Sequence, residues 1–376
     1  MIICKKCVLD NISVENLQFD ENGICYYCNY FEKNVIPRWH PNDKGEKILY
    51  QTIDKIKKVG KDHEYDCIIG LSGGIDSSYL LYKSKDWGLR PLVIHVDAGW
   101  NSELAVANIE KLIKYTGFDL HTEVIDWQDI RKLQVAYLKS GVSNQDVPQD
   151  HIFFSSLYHY AIKYKIKYSI GGGNLATESI LPSEWHGSAM DAQNLLDINK
   201  KFGSGKLNNY KTISFFQYYI YYPFFHGLET FRPLNYMPYD KNIAKLELEK
   251  IGFKTYEGKH GESIFTKFFQ EYYLPVKFNI DKRKAHLSSL ILSNQITRKE
   301  AIKILKKPSY DPSTINETID YICSKLELSR SEFSAIMNAK NRHYSEFKNW
   351  DNKRRVLDLI HSIYKKVFKK SIKKYS

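Results

Sequence analysis

The chain has 376 residues, a length that favours two or three compact units over one minimal domain. Apolar residues at 43% and charged residues at 26% place it among globular proteins and exclude wholesale disorder, collagen-like repeats and disulfide-stapled miniproteins. Of the net charge of +12, residues 352–376 hold a local +8 (nine Lys/Arg against Asp358), leaving a nearly balanced body at +4 that argues against a long polyanionic partner such as nucleic acid.

No run reaches the roughly 18 uninterrupted apolar residues of a membrane span. The nearest, 213–231, is broken by Gln217, Pro223, His226 and Glu229. The opening MIICKKCVLD has no long apolar segment of the signal-peptide kind. A cytoplasmic protein without a transmembrane segment is expected.

In chain order, Cys4, Cys7, Cys25 and Cys28 come first, as two C-x2-C pairs separated by 17 residues. That spacing lets two tight knuckles present four thiolates to one zinc ion. The turn former Glu21-Asn22-Gly23 precedes the second knuckle. A zinc ribbon over 1–33 is predicted, structural because four thiolates leave no open position for water. Cys67 and Cys323 sit in apolar runs without a paired cysteine and read as buried structural residues.

A helix at 45–59 follows, and from 65 to 174 short β-branched runs alternate with amphipathic stretches. Strands are predicted at 65–71, 91–96, 120–126 and 167–170, and helices at 76–87, 102–115, 127–139 and 150–165. Strict alternation means an α/β fold with a parallel sheet and right-handed crossovers, in which ligands gather beyond the carboxyl ends of the strands.

The first strand-to-helix loop reads Leu71-Ser72-Gly73-Gly74-Ile75-Asp76-Ser77-Ser78. Two glycines let successive N–H groups converge on one anion, and the helix N-terminus adds its positive dipole end. Ser72, Ser77 and Ser78 offer hydroxyls. The pattern predicts a phosphate cradle but is not a Walker A loop, whose G-x-x-x-x-G-K-S/T sequence and lysine are absent.

SGGIDSS resembles the pyrophosphate-binding loop of the PP-loop ATP pyrophosphatases, which cleave ATP between the α and β phosphates. The resemblance implies an adenine nucleotide alpha hydrolase-like domain. His95-Val96-Asp97-Ala98-Gly99 ends the second strand, where that superfamily places adenosine contacts, although Asp97 also reads as a helix cap. Gly171-Gly172-Gly173-Asn174 and Glu178 are similar to the G-T-x-N-x-x-E loop of NAD synthetases, with one extra residue before the glutamate. The resemblance implies that Asp76 and Glu178 share Mg2+ bridging the phosphates.

The ribbon, LSGGIDSSY, HVDAGWN, GGGNLATE, Thr230-Phe-Arg232-Pro-Leu234, GKHGESIFTKFFQ from 258 and DKRKAHLSSL from 281 together resemble the N-acetyl sugar amidotransferases of bacterial O-antigen and flagellar nonulosonate biosynthesis. The match runs from residue 1 to about 308 and implies three units: the ribbon, a PP-loop domain at 34–260, and a helical C-terminal region with a basic tail at 261–376. It implies adenylation of the acetamido oxygen of a nucleotide-activated sugar and replacement of that oxygen by ammonia. ATP, Mg2+ and structural Zn2+ are the implied cofactors.

Lys259, Arg232, Lys267 and Arg283 are candidates for neutralising phosphates. His260 is a candidate for moving a proton during ammonia addition, or a hydrogen-bonded neighbour. The chain offers no cysteine in a glutaminase setting, so a separate glutaminase, often with its cyclase-like barrel partner, is the implied ammonia source.

Two segments are left. The aromatic run 215–225 is expected to pack in the core, with sugar stacking or partner docking as alternatives. The C-terminal run carries Val356, Ile360, Ile363, Val367 and Phe368 at helical spacing and is expected to dock on its own domain. The rival reading is a tRNA-thiolating enzyme of the same superfamily; it needs a reactive cysteine, and only Cys67 and Cys323 remain for it.

Overall fold

The structure is a computed structural model that describes residues 1–203, 206–256 and 261–368, with side chains described as far as 363. Its centre is a five-stranded, all-parallel sheet built from β1 (Cys67–Gly70), β2 (Pro91–Asp97), β3 (Leu120–Val124), β4 (Tyr168–Ile170) and β5 (Glu229–Phe231), in the order β3-β2-β1-β4-β5. Four strands fall where the sequence places them, three a little shorter at the ends and β2 one residue longer. The fifth, the edge strand β5, pairs with β4 from Tyr168↔Glu229 to Ile170↔Phe231; three residues are too few to leave a periodic signature.

Alternation of side chains sets the register. Ile68, Leu92, Ile94 and Val96 join a core on one face, whereas Cys67, Ile69, Leu71, Val93 and Ile170 join a second core on the other. Both faces of the central strands are therefore dry, as a sheet covered by helices requires. Each full burial of a side chain such as Ile68 or Ile69 contributes roughly 1.5–3 kcal/mol, so a one-residue slip, which exchanges the two sets, is strongly disfavoured.

Local signals start and stop the crossover helices. Ser102 caps Glu103–Thr116 by accepting from the Ala105 N–H, and Gly117 ends it at φ 73°. Asp126 caps Trp127–Ser140 and Gly141 ends that helix at φ 72°. The chain enters Val147–Lys163, expected three residues later, through Pro148.

Beyond β5 the described chain is helical, in short segments that include Lys282–Leu292, Arg298–Leu305, Ile315–Leu326 and Arg330–Asn338. The long helix Asp351–Phe368 departs from expectation: Val356, Leu359, Ile360 and Ile363 are all more than half exposed. Among the described side chains this stripe is not docked on the body; those of Val367 and Phe368 lie outside the described ones. The aromatic run is also split. Tyr222 is buried, but Phe216, Phe224 and Phe225 are exposed, because residues Gln217–His226 form a π-helical turn containing Pro223.

The four thiols of the N-terminal segment are all fully buried and lie within 4.8 Å of one another. Neighbouring sulfurs are 3.6–3.9 Å apart, against about 3.8 Å for four sulfurs placed tetrahedrally 2.3 Å from one ion. Disulfide geometry, with sulfurs near 2.05 Å, is not present, and all six cysteines are free. Backbone N–H groups of Lys6, Cys7 and Cys25 donate to the Cys4 sulfur at 3.3–3.4 Å. The donor set fits a four-coordinate metal.

Candidate active site

The strand order reverses between β1 and β4: the chain steps outward from β1 through β2 to β3, then returns to the other side of β1 for β4. In an open parallel sheet a crevice opens at that switch point, outside the carboxyl ends of the two strands. The loops leaving β1 and β4 are the SGGIDSS turn and Gly171-Gly172-Gly173-Asn174, so topology alone brings the two glycine-rich segments together.

Glycine makes the approach possible. A Cβ on Gly172 would lie 2.9 Å from the backbone of Asp76 and Ser77, so the second loop rests directly on the N-terminus of the helix Ile75–Asp86. Gly73 needs its φ of +83°, a region that other residues rarely enter. The turn is held open by its serines: Ser72 and Ser77 hydroxyls are 3.0 Å apart, the Gly74 N–H donates to Ser72 Oγ, and Ser77 Oγ donates to the Gly74 carbonyl. The first N–H groups of the helix have no partner within it, and its dipole favours an anion there.

Ser78 differs from expectation. It is 1% exposed and its hydroxyl has no hydrogen-bond partner among the described residues, so it is walled in rather than presented to the crevice. Asp97 is not a helix cap either; it accepts from the Gly99 N–H at 2.8 Å in a tight turn, and Ser102 takes the cap. Lys259 and His260 lie outside the described residues.

Asp76 is the most connected acid of the crevice. It accepts from the Tyr239 hydroxyl and from Asn174 Nδ2 at 3.4 Å, and Lys241 stands 4.0 Å away. Burial and the charge of Asp76, with a smaller contribution from Glu178, drive the Tyr239 pKa far above its usual value. Asp76 thus bonds the Tyr239 hydroxyl directly, and Glu178 acts on it only through its charge. Asn174 also caps the short helix Leu175–Glu178 through the Thr177 N–H. Glu178 and Arg232 reach Gly173 from two sides, at 3.8 and 3.7 Å from where its Cβ would be. Arg232 is exposed, with no ion pair among the described residues.

Several contacts around the turn were not legible. Tyr256 donates to the Gly73 carbonyl at 2.8 Å. The Glu262 carboxylate lies 3.2 Å from a Cβ placed on Gly74, where the helix dipole favours its charge. His95, buried at the end of β2, donates from Nδ1 to the Leu71 carbonyl and accepts from Asn101 Nδ2 at Nε2, an assignment fixed by those partners. Arg283 is committed elsewhere, against the expectation that it faces phosphate: it forks onto Asp281 and donates to the carbonyls of Lys307 and Pro308. Tyr239 and Tyr256 are far from the turn in sequence and belong to no motif that spacing alone exposes, whereas Glu262 falls in the segment singled out from 258.

The remaining cysteines are inert by environment. Burial pushes the Cys67 thiol well above its usual pKa, and burial also raises Cys323, the reverse of what a thiolate nucleophile needs.

The molecule is therefore an α/β protein with two glycine-rich turns brought together at the switch point of a parallel sheet. Its residues 262–362 match the family model described as LPS biosynthesis protein WbpG-like, C-terminal domain, and over that stretch the resemblance to an LPS-biosynthesis family is borne out. Over 66 residues the chain is 33% identical to tRNA(Ile)-lysidine synthase from Chlamydia muridarum, covering 18% of each protein. It thus spans less than a fifth of that curated relative. Similar solved structures include NMN synthetase from Francisella tularensis (15% identity, 77% of this chain and 98% of that one, TM-score 0.36). The U34-tRNA thiolase NcsA from Methanococcus maripaludis overlays at 13% identity, 81% and 89% coverage and TM-score 0.35. NH3-dependent NAD synthetase from Campylobacter jejuni overlays at 14% identity, 79% and 98% coverage and TM-score 0.31. No helix among the described residues is long and apolar enough to cross a membrane.

Proposed function

We propose that the protein is an ATP-dependent amidotransferase that converts the acetamido group of a nucleotide-activated sugar into an acetamidino group, releasing AMP and pyrophosphate. The observation that carries the reading is the Ser72–Ser77 turn at the switch point, joined to a C-terminal region of LPS-biosynthesis type.

An amide carbon resists ammonia because nitrogen donates electron density to it and its oxygen is a poor leaving group. In the proposed reaction the amide oxygen attacks the α-phosphorus of ATP, the α–β bridging P–O bond breaks, and pyrophosphate departs. Ammonia then adds to the activated carbon, one proton is lost, and the C–O bond breaks to expel AMP with the former amide oxygen. The amidine is left on the sugar.

The task of the chain is positioning and charge stabilisation. The N–H groups of the turn and the helix N-terminus hold the departing pyrophosphate, with Ser72 and Ser77 fixing the curvature. Mg2+ would be held by Asp76 and Glu178 and would neutralise phosphate charge. Arg232 and Lys241 supply further positive charge at the crevice edge. Lys259 is proposed as a further phosphate ligand and His260 as a proton carrier. Zn2+ in the four-cysteine cluster would be structural. The high pKa values of Cys67 and Cys323 count against thiolation and against an internal glutaminase, which supports a separate ammonia source.

The test mixes protein, ATP, Mg2+ and ammonium with a panel of nucleotide-linked acetamido sugars. One sugar should lose about one mass unit as oxygen is exchanged for NH, with AMP formed in equal amount. ADP as the nucleotide product, or AMP formed with no change in any acetamido sugar, would count against the reading.

A further inference from the structure

We propose that the exposed stripe of the helix Asp351–Phe368 is a docking surface for an anionic lipid membrane.

Val356, Leu359, Ile360 and Ile363 are exposed by 53–61% and follow the i, i+3, i+4, i+7 spacing that puts them on one stripe. The opposite side of the helix faces the body, where Arg354 and Asp358 stand near Tyr219. Trp350, just before the helix, packs edge-on against Phe215 at 5.5 Å and lies 6.1 Å from Tyr219, and Lys353 stands over the Phe215 ring at 5.9 Å.

Four apolar side chains exposed along one stripe exceed the scattered exposure of an ordinary surface, and charge chooses their occupant. By helical position Lys353 and Arg355 lie on the two flanks of the stripe, Lys353 also donating to Gln193 at 3.1 Å. Asp351 and Asp358 are the acids of 351–376, against nine Lys/Arg, and 359–376 holds six lysines and no acid. The cores of protein–protein interfaces are depleted in lysine. An apolar stripe flanked by cations and followed by a lysine-rich segment is the pattern of a helix lying in the interface of an anionic bilayer. Each cation near such a surface strengthens binding by roughly fivefold.

Flotation of the full chain with vesicles tests this. Vesicles of equal parts phosphatidylglycerol and phosphatidylcholine should carry the protein at least about tenfold more tightly than phosphatidylcholine alone, and added salt should weaken the binding. The double substitution Leu359→Asp with Ile360→Asp should abolish flotation without altering circular dichroism, and Lys353→Glu with Arg355→Glu should weaken it. Equal binding to neutral vesicles, no binding to either kind, or unchanged flotation of the Leu359/Ile360 variant would overturn the proposal. So would self-association in solution that the same variant removes, which would assign the stripe to a second copy of the chain.

Discussion

The hydroxyl of Tyr239 donates to the carboxylate of Asp76, tying the segment after β5 to the first turn of the helix after β1. The two residues are 163 positions apart in the chain, and their contact closes the crevice at the end of the sheet. Tyr239 also packs on Tyr79 of the same helix, ring centroids 5.8 Å apart. Removing the hydroxyl should leave the fold intact and free Asp76 to shift. Tyr239→Phe is expected to raise the KM for MgATP by about tenfold, the worth of one hydrogen bond to a charged group. Asp76→Ala should lower kcat by at least about a hundredfold. Steady-state kinetics with the sugar identified above checks both, and wild-type values in Asp76→Ala would remove Asp76 from the site.

The four-cysteine segment bears on the crevice through one helix. Lys284 binds Asp10 at 2.5 Å and Ser13 at 2.7 Å, and Ser288 accepts from the Val8 N–H. On the same helix, Lys282–Leu292, His286 meets the Thr177 carbonyl at 3.0 Å, Ser289 accepts from the Ile180 N–H and Ser293 donates to the Ala176 carbonyl. Arg298 fastens the knuckles by donating to the carbonyls of Cys4 and Cys7, both at 2.9 Å. Metal loss should therefore loosen the segment that carries Glu178 as well as the knuckles. Cys7→Ser is expected to lower the melting temperature and to speed amide exchange at 174–180; unchanged exchange there would show that the helix transmits nothing.

Lys325 reaches from the C-terminal helices to the loop after β2, donating to the Gly99 carbonyl while lying 4.9–5.0 Å over the rings of Trp100 and Trp127. Gly99 cannot yield, since its φ is +80° and a Cβ would lie 2.6 Å from Trp127. Lys325→Met keeps most of the packing and removes the charge. A KM for ATP raised about threefold to tenfold, with kcat nearly unchanged, is expected from the loss of this cation–π and hydrogen-bond clamp. Equal loss in kcat and kcat/KM would instead place Lys325 in the chemical step.

Asp150 gives a pH signature. Burial first, then the neighbouring Asp146, raise its pKa to about 7 against the pull of Lys282. In the unfolded chain an aspartate titrates near 3.9, so the native state binds the proton more tightly between roughly pH 4 and 7. Stability is therefore highest at the acid end of that window, falls as the pH rises toward 7, and stays lowered above it. Asp150→Asn should remove the slope, with a clear gain in stability at pH 8 and little at pH 4. Thermal melts at the two pH values decide, and an equal gain at both would contradict the assignment.

What the sequence disclosed follows from where its signals are local. The cysteine spacing and the glycines of the turn depend on a few adjacent residues, so they were readable; the caps fall instead at Ser102, read as helix, and Asp126, read as strand. The buried strands were readable because both faces of β1 and β2 demand apolar side chains. The edge strand β5 has only Phe231 buried, and its place comes from pairing with β4 rather than from its own pattern. Tyr239, Tyr256 and Glu262 reach the turn through tertiary packing that no spacing encodes. The exposed stripe of Asp351–Phe368 was visible as an amphipathic pattern, but periodicity states which residues share a face and is silent on what that face meets.

The most direct measurement uses a nucleotide sugar labelled with oxygen-18 in its acetamido group, incubated with the protein, ATP, Mg2+ and ammonium. Transfer of the amide oxygen to phosphorus predicts AMP carrying the label, unlabelled pyrophosphate and an amidine free of it. Unlabelled AMP, or ADP with labelled inorganic phosphate, would contradict attack on the α-phosphorus.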